Sequence, residues 1–146
     1  MKNKVQRQAE WVSLCRSEQA LKVALGRDDS REATRAAKRV EESIKQLPQL
    51  SDTARGHQLL ALVAEARLNW KDAARHTRLH IAHMAFMREL ARTERALARR
   101  AILRDYSSVR MAAAYRQLAL YHGRAGAEHD ARVARQQASE WARTAR

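Results

Sequence analysis

A chain of 146 residues has the size of one domain and can bury a core without a metal or a disulfide. Its one cysteine, Cys15, excludes an intramolecular disulfide, and four glycines with one proline leave too few turns for a β sandwich or barrel. A net charge of +13 favours polyanionic partners and disfavours self-association. The N-terminal Lys2, Lys4 and Arg7 have no apolar stretch behind them, and no run nears the ~20 apolar residues that span a bilayer. These features predict a cytoplasmic protein with no membrane partner.

The first helix is predicted from about Lys4 to Leu25, with Gly26 as its left-handed cap. Asp28, Asp29 and Ser30 offer N-cap oxygens to a second helix, about Arg31 to Gln46, which Pro48 stops. Ser51 or Asp52 is expected to cap a third, about Thr53 to Leu68, whose Leu59, Leu60, Leu62 and Val63 fall at helical spacing. Asn69 caps a fourth, from Trp70 to about Arg104, with an apolar stripe of Leu79, Phe86, Leu90, Leu97 and Ala101 and room for a break. A fifth starts from Asp105, Ser107 and Ser108 and covers about Val109 to Gly123, where Gly126 punctuates. The sixth runs from about Ala127, with Ala131, Ala134, Ala138, Trp141, Ala142 and Ala145 along one side. The expected architecture is therefore all-α: one domain, about six helices, three antiparallel hairpins at about 4–46, 53–104 and 109–145. Trp70 and Trp141 are expected to be largely buried.

Two hairpins share a pattern. Tyr115-x-x-Leu118-Ala119 is followed by Gly126, Ala131 and Ala138, and Leu60-Ala61 is followed by Asn69-Trp70-Lys71-Asp72-Ala73. This order of aromatic or Leu, small residue, turn and small residue resembles the tetratricopeptide repeat, over residues 57–83 and 112–141. The chain departs from that pattern at His122, His80 and Arg135, and its two hairpins lie 58 residues apart (Ala73 to Ala131). The resemblance implies stacked helical hairpins that bind a partner on their surface. In size and basic helical character the chain also resembles the small helical subunits of CRISPR effector complexes, by composition and fold class alone.

The charge is uneven. Residues 1–73 hold 14 Lys+Arg against 10 Asp+Glu, or +4, and residues 74–146 hold 15 against 6, or +9. After Lys71 every cation is arginine, whose fork grips phosphate oxygens bidentately. On one continuous helix, Arg88, Arg92, Arg95 and Arg99 share a face, as do Arg132, Arg135, Arg143 and Arg146 on the last helix. Two readings compete: a solvated face, and a polyanion-binding surface. The excess of +9 favours the second, and most aromatics fit core positions, so the expected form is sequence-independent backbone binding.

Other chemistry is poorly represented. His76, His80 and His83 share a face with Asp72, yet further ligands for a closed metal site are not identifiable. There is no phosphate-binding glycine loop, dinucleotide fingerprint or nucleophile elbow. Cys15 reads as a buried structural cysteine, and Glu41 and Glu42 as surface ion-pair partners. The expectation is a non-enzymatic module without cofactor or metal that contacts RNA or DNA within a larger complex. The alternative is an adaptor for an acidic peptide or partner protein.

Overall fold

The computed structural model describes residues 2–145. Among them are seven α-helices, one short 3-10 turn and no strand. The helices are α1 (Lys4–Gly26), α2 (Ser30–Gln46), α3 (Ala54–Ala66), α4 (Trp70–Ala91), α5 (Ala96–Asp105), α6 (Ser108–Arg124) and α7 (Glu128–Thr144), with the turn at Pro48–Leu50. The chain folds as two compact units, one ending at Ala73 and the other beginning at Ala74, and α4 runs through the division. No helix among the described residues is long and apolar enough to cross a membrane.

One turn recurs three times. The amides of Asp29, Asn69 and Ala127 donate to the carbonyls five residues back, Ala24, Ala64 and His122, at 3.0, 2.9 and 2.8 Å. The residue before each, Asp28, Leu68 or Gly126, is left-handed, at φ 53, 57 and 81°. This is the Schellman closure of α1, α3 and α6, and it launches the next helix at once. Asp29 then accepts from the Glu32 amide, and Asn69 from that of Asp72. Nine residues after each accepting carbonyl stands a buried alanine, Ala33, Ala73 or Ala131. Gly26 is thus not the left-handed cap: it remains helical, and Asp28, whose short polar side chain tolerates that backbone, takes the strained position.

In the first unit α1 packs on α2, and α3 packs on both. The α2 contribution is mostly small: Ala33, Ala36, Ala37, Val40 and Ile44 recur at 3.6-residue spacing and let α1 come close with Leu14 and Leu21. Leu47, Leu50, Leu59 and Val63 complete this core. Thr53, rather than Ser51 or Asp52, caps α3 by accepting from the Gly56 amide at 3.0 Å. The cap falls there because the turn after Pro48 brings the Leu50 carbonyl back to accept both the amide and the hydroxyl of Thr53, at 3.0 and 2.7 Å.

Glu18 of α1 is buried at 6 % exposure. Both its oxygens accept from the Arg55 guanidinium, and Lys22 lies 2.9 Å away. Burial by itself raises the carboxyl, but the Lys22 and Arg55 contacts outweigh it and hold the group below its ordinary value of 4.5. A depressed carboxylate stabilises the fold above its unfolded pKa, and that contribution is lost as pH falls through the folded value. Acid titration of thermal stability should therefore show a loss below about pH 4.5 that is smaller in Glu18→Gln. At neutral pH, Arg55→Ala should cost about 1–2 kcal/mol, less than for a fully buried pair, because the Arg55 side chain is 37 % exposed and Lys22 stays. Equal acid slopes in wild type and Glu18→Gln would refute this assignment.

In the second unit α6 packs against α7 through small residues, Ala112 and Ala119 on one side and Ala131, Ala134 and Ala138 on the other. Tyr121 is fully buried, and its hydroxyl accepts from Gln117 Nε2 at 2.6 Å, so its polar end is satisfied inside the core. Ala142 and Ala145 are exposed, and Trp70 and Trp141 are half-buried, not core. Cys15 is exposed, not buried. Glu41 does form an ion pair, with Arg67.

The expected helix over 70–104 is two helices. α4 ends at Ala91, and Arg95 begins α5 with an extended backbone, φ −65° and ψ 157°. The apolar stripe expected to face the core is on the outside, with Phe86 62 % and Leu97 82 % exposed. α4 instead buries its other side, Ala73, Ala74, Thr77, Ile81 and Met84. Both lines have helical spacing; on the buried one Ala73, Ala74 and Thr77 permit close backbone approach, and Ile81 and Met84 supply the apolar bulk.

Candidate nucleic-acid interface

The break after Ala91 rearranges the first arginine stripe. Arg88 is in the last turn of α4, where a cation suits the helix dipole. Its Nη1 donates to the Tyr106 carbonyl at 2.7 Å, and its guanidinium lies 4.8 Å over the Trp141 ring. Arg99 turns back from α5: Nε donates to the Ala91 carbonyl at 3.2 Å and Nη2 to that of Glu94 at 3.1 Å. It thereby caps the carbonyl end of α4, an internal task for a side chain expected to face solvent. Arg92 is exposed and lies 3.5 Å from Glu89, while Arg95 is exposed at the start of α5. The four do not form one line along a continuous helix: Arg88 and Arg99 brace the α4–α5 corner, and Arg92 and Arg95 occupy the turn between.

The second stripe is different. Arg132, Arg135 and Arg143 are all exposed on α7, and Arg146 lies outside the described residues. Arg135 faces α6 across a surface cleft of about 580 Å³ whose other charged lining residues are Arg116, Arg124 and Glu128. Leu120, exposed between Arg116 and Arg124, forms part of the same wall. Among the described residues, no hydrogen bond or ion pair takes the guanidinium of Arg116, Arg132 or Arg135. Arg116 and Arg124 were missed in sequence because neither belongs to a spaced stripe. Only the packing of α6 on α7 brings them beside Arg135. Their signal was the local shortage of acids.

A groove with three arginines and one glutamate on its lining is net positive, so it repels cations and concentrates anions. Three guanidiniums lining one cleft suit a chain of phosphates better than a single small anion. The apolar Leu120 adds contact without base-edge selectivity.

The histidine row does not converge. Among the described residues no group of three or more His, Cys, Asp or Glu side chains is placed to hold a metal. His83 meets the Tyr106 ring edge-on at 5.9 Å. His122 is buried, and burial first, then Arg78, lowers its pKa against the opposing pull of Asp130. Burial likewise raises the Tyr115 phenol.

The expectation that most aromatics are core fails: Tyr121 is buried, but Trp11 and Phe86 are exposed and Trp70, Tyr106, Tyr115 and Trp141 are half-buried, because the close helix contacts are made by alanines. Trp141 is half-buried and lines a second cleft with Arg88, Arg92 and Arg99. The chain matches no protein-family model, no curated protein and no solved structure.

Proposed function

We propose that the chain is a non-enzymatic helical binding module whose second unit holds a nucleic-acid backbone, independent of sequence, as part of a larger nucleoprotein assembly. The observation that carries this reading is the α6–α7 groove, where Arg116, Arg124 and Arg135 face one acid, Glu128. The wider unit is equally short of acids, with 15 Lys+Arg against 6 Asp+Glu over residues 74–146. Neutralising phosphates releases counterions, so affinity should fall steeply with salt, each contact contributing roughly 0.7 to the log–log slope on a single strand and 0.9 on a duplex.

Titrating two unrelated oligonucleotides at about 50 to 300 mM salt tests this: four to six contacts should give slopes of about −3 to −5, alike for both sequences. No binding at the lowest salt would sink the reading. The second reading would then lead: a tetratricopeptide-like adaptor for an acidic amphipathic segment. The exposed apolar line Leu79, Phe86 and Leu90 on α4 favours it. The thrice-repeated turn of α1, α3 and α6 supports the hairpin-repeat resemblance on which that reading depends.

A further inference from the structure

The second cleft, beside the carbonyl end of α4, has a volume of about 530 Å³ and is lined by Arg88, Arg92, Arg99, Leu103 and Trp141 among others. That lies within the ~300–1,000 Å³ range of small-ligand pockets. One side is planar or apolar, with the Trp141 indole, the Leu103 side chain and the Arg88 guanidinium 4.8 Å over the indole, and Glu89 is the one carboxylate on the lining, beside Arg92. Two of its three arginines are held before any ligand arrives, Arg88 by the Tyr106 carbonyl and Arg99 by those of Ala91 and Glu94. Anchored groups lose little freedom on binding. The third, Arg92, stands exposed with its 3.5 Å contact to Glu89, and Arg95 follows it in the turn. An aromatic wall beside fixed planar cations, with exposed cations adjacent, is the combination that accepts an unpaired base and its flanking phosphates. A paired base cannot present its face to such a wall, because its neighbours in the stack cover it.

We propose that this cleft takes an unpaired base against the Arg88–Trp141 pair, with Arg92 and Arg95 on the adjoining phosphates. The preferred ligand is therefore a single strand. This inference rests on the backbone-binding reading above and adds to it a distinction that charge alone does not make. The base-and-phosphate chemistry could also come from a free nucleotide, so the test includes one.

The full-length protein carrying Trp11→Phe and Trp70→Phe leaves Trp141 as its one indole. It is titrated at low salt with a 12-mer oligothymidylate, a duplex of equal length and thymidine monophosphate. The 12-mer should quench Trp141 fluorescence; the duplex should bind without quenching, and the mononucleotide should quench only at far higher concentration. Trp141→Leu should weaken the single strand about ten- to a hundredfold, as expected for one lost stacking partner, and leave duplex affinity and its salt slope unchanged. Trp141→Phe should keep the preference within a few-fold. Equal quenching by strand and duplex, quenching by the mononucleotide at the oligonucleotide's concentration, or equal losses on both in Trp141→Leu would overturn the proposal. In each of those cases salt-dependent binding would persist and the groove reading would stand. No binding by any ligand would remove both. If Trp141→Leu does not fold, the quenching series and Trp141→Phe decide.

Discussion

Gly56→Ala is expected to destabilise the first unit by about 3 kcal/mol or more, at the upper end of overpacking changes. The reason is geometric. A Cβ built at Gly56 would lie 1.8 Å from the Leu50 carbonyl oxygen and 2.8 Å from its carbon. Backbone stands there, so no side-chain rotation relieves the clash. That carbonyl is also committed, accepting both the amide and the hydroxyl of Thr53. Moving it would disturb the cap of α3, worth roughly 1 kcal/mol by itself. Thermal unfolding followed by circular dichroism should show a fall of about 10 °C or more, by the usual conversion for a small domain. Gly26→Ala makes the same chemical change where nothing lies within 4 Å of the new methyl. It should be neutral or stabilise by about 0.5–1 kcal/mol, since alanine is the better helix former. If both variants melt together, the close approach of the Pro48–Leu50 turn to α3 is wrong.

Reversing Arg116, Arg132 and Arg135 to glutamate should abolish most nucleic-acid binding while leaving the fold intact. The three are exposed, and surface changes away from special features usually fall within about 0.5 kcal/mol. Losing three phosphate contacts should flatten the single-strand salt slope by about 2 and weaken affinity at least a hundredfold near 100 mM salt. If binding is to the backbone alone, unrelated sequences should suffer equally. Arg99→Glu should behave differently: it places a carboxylate against the Ala91 and Glu94 carbonyls, so it should lower the melting temperature as well. Wild-type affinity in the triple variant would exclude the α6–α7 groove. Equal destabilisation in all the reversals would show that the loss of binding reflects unfolding.

The contrast between Arg99 and Arg135 shows where sequence reasoning stops. Both are arginines at helical spacing from other arginines, and nothing in their neighbours separates them. Arg99 became a helix cap because α4 ends at Ala91 and α5 turns back over it. Four unremarkable residues, Arg92 to Arg95, make that break without glycine or proline. Trp141 is a similar case. Its spacing from Ala131, Ala134 and Ala138 puts it near the small-residue face of α7, but contact with Arg88, 53 positions earlier, makes it a cleft wall.

Local chemistry, by contrast, was legible from the chain. Alanine and arginine abundance, scarce glycine and proline, and 3.6-residue periodicity dictate helices, because each is a property of neighbouring residues. Pro48, Asp29, Asn69 and Ser107 mark helix ends for the same reason: a missing amide proton or a capping oxygen acts within a few residues. The net charge and its excess over residues 74–146 are sums, and no fold changes them. Tertiary structure alone decided which of two apolar lines on α4 is buried, because that depends on how closely backbones approach. It also decided which arginines are spent on carbonyls and which line the α6–α7 groove. Arg116, Arg124 and Arg135 become one groove only when Ala119 and Ala138 let α6 and α7 close upon each other.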